Sequence, residues 1–190
     1  MAIINKQAPK FELDGYHEGK IKKISLDSLK GKWVVLVFYP ADFTFVCPTE
    51  LGELADNYKK FVELGAEILS VSTDTVFTHI AWKNQSPTIK KIEYPMLADP
   101  TGNTCKDYGT YIEDGADEGQ SLRGTFIIDP EGILKAVEIN DNSMGRSARE
   151  LLRKLQASKY VREHGNQACP ASWEPGKETL KPGVDLVGKL

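Results

Sequence analysis

Three cysteines are too few, and odd in number, for a disulfide framework. Cys47, Cys105 and Cys169 form no Cys-x-x-Cys pair and no Cys/His cluster, which argues against a structural zinc site. The three histidines, His17, His79 and His164, are scattered and read as surface or packing residues. No apolar run reaches the roughly 18–20 residues that cross a bilayer. Nor is positive charge in excess: the net charge is −3, which speaks against non-specific nucleic-acid binding. The basic runs at 20–23 and 90–91 read as solvated faces. No repeat or low-complexity tract is present. Residues 1–6 lack the pattern of a secretory signal, so a cytoplasmic protein is expected. What remains is one globular domain, apolar enough at 41% to build a core, with thiols that are catalytic or buried.

The chain is organised around residues 39–50, Tyr-Pro-Ala-Asp-Phe-Thr-Phe-Val-Cys-Pro-Thr-Glu. Before them, 33–39 is a β-branched and aromatic run that reads as a central strand buried on both faces. After them, Leu51, Leu54, Ala55, Tyr58, Phe61 and Val62 recur at helical spacing until Gly65. Pro48 suits a first helical turn, and Glu50 suits the positive end of the helix dipole. Cys47 is therefore expected at the N-cap or in the first turn of a helix leaving a buried strand.

That position activates a thiol. Favouring the thiolate a hundredfold takes roughly 2.7 kcal/mol. A helix dipole gives about 0.3–1 kcal/mol, and up to about 2 when partly buried. A cation is needed besides, all the more because Asp42 and Glu50 act the other way. Thr44 offers a hydroxyl. Arg123, just before a later strand, is the best candidate for the cation. A lone Cys-Pro is more often an inert core thiol, but the strand-to-helix junction favours a reactive one.

Residues 1–30 read as short edge strands and turns, with one helical turn before Gly31. A strand at 66–72 completes a βαβ unit with 33–39, so these two strands should be parallel. Thr73, Asp74 and Thr75 offer caps for a helix through Val76 to Trp82. Residues 83–93 read as helix end and loop, 94–98 as a possible edge strand, and 99–102 as a turn. A short helix through Cys105 follows, and Cys105 reads as packing. Residues 113–121 form an acidic loop. Strands over 125–128 and 133–139 flank Asp129-Pro130-Glu131-Gly132, a type I turn. Asp141 to Ser143 should cap a last helix bearing Met144, Ala148, Leu151, Leu152 and Leu155. Arg146 would stand in its first turn, the wrong end for the dipole, which suggests an anionic neighbour. Past residue 160 the chain becomes a Pro/Gly-rich arm carrying Cys169 and Trp173. That arm either buries both residues against its own domain or carries a second, movable redox thiol.

This order of elements is that of a thioredoxin-like fold, an α/β fold with a mixed central sheet flanked by helices, here with a C-terminal arm. Position 50 is Glu, so the site is not a local dithiol. The whole chain resembles the typical 2-Cys peroxiredoxins, closest to the bacterial alkyl hydroperoxide reductase C type. The resemblance rests on Phe43-Thr44-Phe45-Val46-Cys47-Pro48-Thr49-Glu50, on Ala168-Cys169-Pro170, and on Arg123 between them. It implies that Cys47 is the peroxidatic and Cys169 the resolving cysteine, that Pro40, Thr44 and Arg123 surround the thiolate, and that Glu50 and Arg146 orient Arg123. Thr44 would donate to one peroxide oxygen while Arg123 holds the other. It implies hydroperoxide substrates, an intersubunit disulfide, an external dithiol or flavoprotein reductant, a homodimer assembling to a decamer, and no metal, haem or flavin on this chain. Residues 1–164 would be the peroxidase domain and 165–190 the arm. The chain lacks the Gly-Gly-Leu-Gly motif that easily over-oxidised members carry where it reads 84–92, and their Tyr-Phe arm. Resistance to sulfinic acid formation is therefore expected. A holdase chaperone is the rival reading; it gives the catalytic set no reason to exist.

Overall fold

A computed structural model describes residues 2–189. They fall into two compact units, with the division between Ala148 and Arg149.

The first unit is built on one seven-stranded mixed sheet. Its strands are β1 (Glu12–His17), β2 (Lys20–Ser25), β3 (Trp33–Phe38), β4 (Ala66–Ser72), β5 (Met96–Ala98), β6 (Arg123–Ile128) and β7 (Leu134–Asn140). Their order across the sheet is β2-β1-β5-β4-β3-β6-β7. β3, β4 and β5 run parallel, as the βαβ reading requires. β1 joins β5 and β6 joins β3 in antiparallel pairs. Every residue of β3 is buried, as its unbroken apolar run demands. Val34, Leu36 and Phe38 belong to one core cluster with Phe126, Cys105 and Tyr108. The alternate residues Val35, Val37 and Ile68 point to the opposite face.

Helix α1 (Cys47–Glu63) links β3 to β4, burying Leu51, Leu54 and Phe61 while Val62 is exposed. Gly65 takes a left-handed conformation just beyond it, with φ +73°. Helix α2 (Val76–Gln85) is capped by Thr75, whose hydroxyl accepts from the Thr78 N–H. The short helix α4 (Asn103–Tyr108) carries buried Cys105. The β6–β7 turn is held by Asp129, whose carboxylate accepts from the Glu131 and Ile133 N–H groups.

Three expectations are corrected. Residues 94–98 do not form an edge strand: β5 is interior, because the β1–β2 hairpin pairs alongside it. Residues 83–93 are not merely loop. They contain α3 (Pro87–Lys90), capped by Ser86, with Ile89 and Ile92 buried; two isoleucines are too short a pattern to show periodicity. The last helix, α5, spans Ala148–Glu163 and so excludes Met144 and Arg146. Asp141 caps a turn at Ser143 instead, and the helix begins where the Ala148 N–H meets the Glu53 carboxylate at 3.2 Å.

In the second unit the arm folds back along α5. Ala168 and Leu180 pair as an antiparallel bridge. Trp173 is buried; its ring lies 4.9 Å from Tyr160 and its indole N–H donates to the Lys177 carbonyl. Cys169 is half-buried, its Sγ 4.0 Å from the Ala157 carbonyl oxygen. Trp173 is buried as the packed reading of the arm asks, whereas Cys169 is only half-buried.

Candidate active site

Cys47 is the first residue of α1, directly after the N-cap Val46, and its side chain is fully buried. Its position follows from chain direction. β3 delivers the chain to the carboxyl end of the sheet, and residues 39–46 turn it into α1. Phe43 adopts φ +57° within that turn, a left-handed conformation that an aromatic residue rarely takes. Pro40 is buried beside it. The helix N-terminus offers a partial positive charge to the sulfur.

The cation arrives from β6. β6 pairs antiparallel to β3, with Thr125 opposite Val37. Two residues further along the same register, Arg123 stands level with Tyr39, at the edge of the cysteine turn. Its Nη1 lies 3.5 Å from Cys47 Sγ. Arg123 is only 3% exposed, so its charge acts with little solvent screening.

Glu50 fixes that guanidinium. Arg123 Nη1 donates to Glu50 Oε2 at 2.6 Å, while its Nε donates to the Asn142 carbonyl at 2.8 Å. Arg146 donates to Glu50 Oε1 through both its backbone N–H and its Nε, each at 2.8 Å, and to Oε2 through Nη2 at 3.1 Å. Its Nη1 reaches the Gly124 carbonyl at 2.7 Å, tying the group to β6. Burial alone would raise the Glu50 carboxyl, but the Arg146 hydrogen bonds and both guanidinium charges outweigh it and hold Glu50 below the usual carboxylate range. The anionic neighbour expected for Arg146 is thus Glu50. Arg146 reaches it from the loop before α5, and that engagement of its own N–H accounts for the late helix start.

Thr44 differs from expectation in one respect. Its hydroxyl donates to the Ala41 carbonyl at 2.8 Å, so it faces a ligand with lone pairs rather than with its proton.

One cluster was missed by sequence reading. His79 is fully buried on α2, against the turn that holds Cys47. Its Nδ1 is 2.7 Å from Asp42 Oδ2, and its Nε2 donates to the Leu97 carbonyl at 3.0 Å. Tyr39 donates its hydroxyl to Asp42 Oδ1 at 2.7 Å. Burial raises the Asp42 carboxyl despite the opposing pull of His79. Asp42, expected only as an unfavourable charge near the thiol, is one member of a buried network that anchors the cysteine turn to α2. His79 and Asp42 stand too far apart in sequence to signal the pair.

Cys105 is a packing residue. Burial, with the Asp99 carboxylate beside it, pushes its thiol up to about 12. Cys169 is raised by burial against the lowering pull of Arg153. All three thiols are free. Among the described residues no cluster of three or more His, Cys, Asp or Glu side chains is placed to hold a metal ion.

A buried thiol at a helix N-terminus, faced by an arginine on a thioredoxin-like sheet, defines a class of thiol-based peroxidase. Comparison with known proteins agrees. Residues 4–137 match the AhpC/TSA family, and residues 157–189 match the C-terminal domain of 1-Cys peroxiredoxin, a region that here contains Cys169. Over 190 residues, covering all of both chains, the sequence is 45% identical to alkyl hydroperoxide reductase C of Pseudomonas aeruginosa and 46% identical to that of Escherichia coli K12. The crystal structure of Enterococcus faecalis AhpC superposes with a TM-score of 0.84 at 48% identity, covering 90% of this chain and all of that one. Reduced Plasmodium vivax 2-Cys peroxiredoxin superposes at 0.88 with 35% identity, covering 96% of this chain and 94% of that one. The chain belongs to the AhpC/TSA family of peroxiredoxins.

Proposed function

We propose that Cys47 is the peroxidatic thiol of this thiol-dependent peroxidase, with Arg123, Glu50, Arg146, Thr44 and Pro40 as its supporting site and Cys169 as the resolving thiol. The observation that carries the reading is the Arg123 guanidinium 3.5 Å from Cys47 Sγ at the start of α1. The thiolate attacks the terminal oxygen of a hydroperoxide. An S–O bond forms as the O–O bond breaks, and the departing alkoxide takes up a proton to leave as alcohol, or as water from hydrogen peroxide. Cys47 remains as a sulfenic acid. Negative charge moves onto the leaving oxygen during this step, so a guanidinium already fixed by Glu50 gains more from the transition state than from the bound substrate. Thr44 accepts the O–H of the peroxide and turns it toward the sulfur.

The Cys169 thiol then condenses with the sulfenic acid, forming a disulfide and releasing water. Disulfide geometry requires Cα atoms within about 7 Å. Cys47 is fully buried, so the first turn of α1 must open for the two sulfurs to meet. Val46 supplies no side-chain cap to that turn, so opening breaks no capping bond. An external dithiol, carried by a small protein or a flavoprotein reductase, restores both thiols by exchange.

Residues 1–164 form the peroxidase domain and 165–190 the resolving arm of a cytoplasmic homodimer that assembles further into a decamer. β7 is an outer strand with Val137 and Ile139 partly exposed, which suits edge-to-edge pairing between two copies. Exposed Phe43 and Phe77 lie in the cysteine turn and on α2, and suit contacts between dimers.

Stopped-flow peroxide consumption by the reduced wild type, Cys47→Ser and Cys169→Ser tests the assignment, with non-reducing gels of each product. Only Cys47→Ser should lose the fast first turnover. Cys169→Ser should react yet form no intersubunit disulfide. Rapid consumption by Cys47→Ser would overturn the assignment.

A further inference from the structure

The two ends of the Arg123 guanidinium are held unequally. Glu50 accepts from Nη1 and is fixed in turn by Arg146. At the other end Nε rests on a main-chain carbonyl, that of Asn142, at 2.8 Å. Whatever fixes this carbonyl therefore helps to aim the guanidinium at Cys47. The β6–β7 ladder ends where Arg123 pairs with Asn140, so Asn142 lies two residues past the last pair. Here the acidic loop 113–121 runs into β6, and the chain leaves β7 for α5. A side-chain bond spans the two segments: Asn142 Nδ2 donates to Asp117 Oδ2 at 3.1 Å. Asn142 thus meets Arg123 with its main chain and the loop preceding Arg123 with its side chain.

The other end of that amide is unpaired. Asn142 Oδ1 is buried and has no hydrogen-bond partner among the described residues. Turning the amide over would set Oδ1 against the Asp117 carboxylate and lose the existing bond. A buried acceptor without a donor bears its desolvation cost in full, and an apolar side chain of similar size would escape it. Stability alone does not call for asparagine here. A polar group retained against stability is a mark of functional sites, where position is worth more than packing.

We propose that Asn142 is a positioning residue for peroxide reduction: clamped by Asp117 through its amide, it holds the Arg123 Nε with its carbonyl. The clamp closes the gap beyond the ladder, where the two main chains no longer pair. Asp141 completes the turn, its carboxylate accepting from the Ser143 N–H at 2.8 Å. With the clamp in place the guanidinium is fixed at both ends before peroxide arrives. Without it, Nε loses a steady acceptor and the plane of the guanidinium can swing about its Glu50 contact. Stabilisation of charge on the leaving oxygen depends on donors aimed in advance, so such a swing slows the chemical step.

The inference rests on Cys47 as the peroxidatic thiol, and the test separates the two. Stopped flow gives the second-order rate constant of the reduced full-length protein with hydrogen peroxide, and urea unfolding gives its midpoint. Asn142→Leu should lower the rate constant about three- to tenfold, with a midpoint equal to or above that of the wild type. Asp117 is exposed, so Asp117→Ala tests the clamp without disturbing a core and should slow the reaction by a similar factor. Asp117→Asn keeps an acceptor for the amide and should recover most of that loss. The double variant, Asn142→Leu with Asp117→Ala, should be no slower than the slower single variant. An Asn142→Leu rate within about twofold of the wild type would overturn the proposal. So would a midpoint that falls together with the rate, or losses that multiply in the double variant. Fast consumption by Cys47→Ser, measured alongside, would instead overturn the assignment of the thiol.

Discussion

Glu50→Gln keeps the shape of the side chain and removes its charge. In the wild type the two carboxylate oxygens accept four hydrogen bonds, two at each oxygen, all from Arg123 or Arg146. A glutamine must place its NH2 group against one of these pairs of donors, whichever way the amide turns. At least two bonds are then lost, and two buried arginines are left without a counter-charge. The Glu50 side chain is 3% exposed, so water cannot replace them. Breaking a buried pair in this way costs about 3–5 kcal/mol. The effect carries a pH signature. Glu50 is held below its ordinary value, so its stabilisation is complete above the unfolded carboxylate value of about 4.3 and is lost as pH falls through the lower folded value. Urea unfolding of the reduced proteins, followed by tryptophan fluorescence, should give a gap between wild type and variant that is flat from pH 8 to about pH 5 and narrows in more acidic solution. A gap below about 1 kcal/mol at pH 7 would refute the reasoning. So would a gap unchanged at pH 3.

Arg123→Lys retains a charge but cannot meet Sγ, Glu50 and the Asn142 carbonyl together; the second-order rate constant with hydrogen peroxide should fall about 10²–10³-fold in stopped flow. Cys105→Ala should leave peroxide turnover unchanged, and native Cys105, pushed up to about 12, should resist iodoacetamide at pH 8 while Cys47 is alkylated, as read by mass spectrometry. His79→Leu leaves Asp42 Oδ2 without its imidazole partner, and calorimetry should show a loss of about 1–3 kcal/mol with a lower melting temperature.

Local signals carried most of the core of the fold into the sequence. The apolar run at 33–38 and the helical spacing from Leu51 to Phe61 each identify their element without help from distant residues. Pro48, Glu50 and Gly65 mark the ends of α1. Register-dependent features were less legible. That β5 is interior depends on a hairpin from residues 12–25 pairing beside it, and nothing within 94–98 records that. The start of α5 was misplaced because Arg146 looks like a helix residue until its N–H is seen to be taken by Glu50. Arg123 could be nominated as the cation by electrostatic need, yet only the β3–β6 register brings it level with the end of β3. The pairing of His79 with Asp42 left no trace, since a buried hydrogen-bonded contact between segments has no period and no motif.

Formal charge around Cys47 has a further consequence. Arg123 and Arg146 contribute two positive charges and Glu50 one negative, all on side chains less than a tenth exposed. With a neutral sulfur the group holds one unbalanced positive charge away from solvent ions. A thiolate brings the sum to zero. In the cycle proposed above, oxygen transfer would make the sulfur neutral again, and the imbalance would return. One glutamate shared between two arginines thus leaves the pocket one positive charge in excess, the deficit that a single anion at the sulfur would fill.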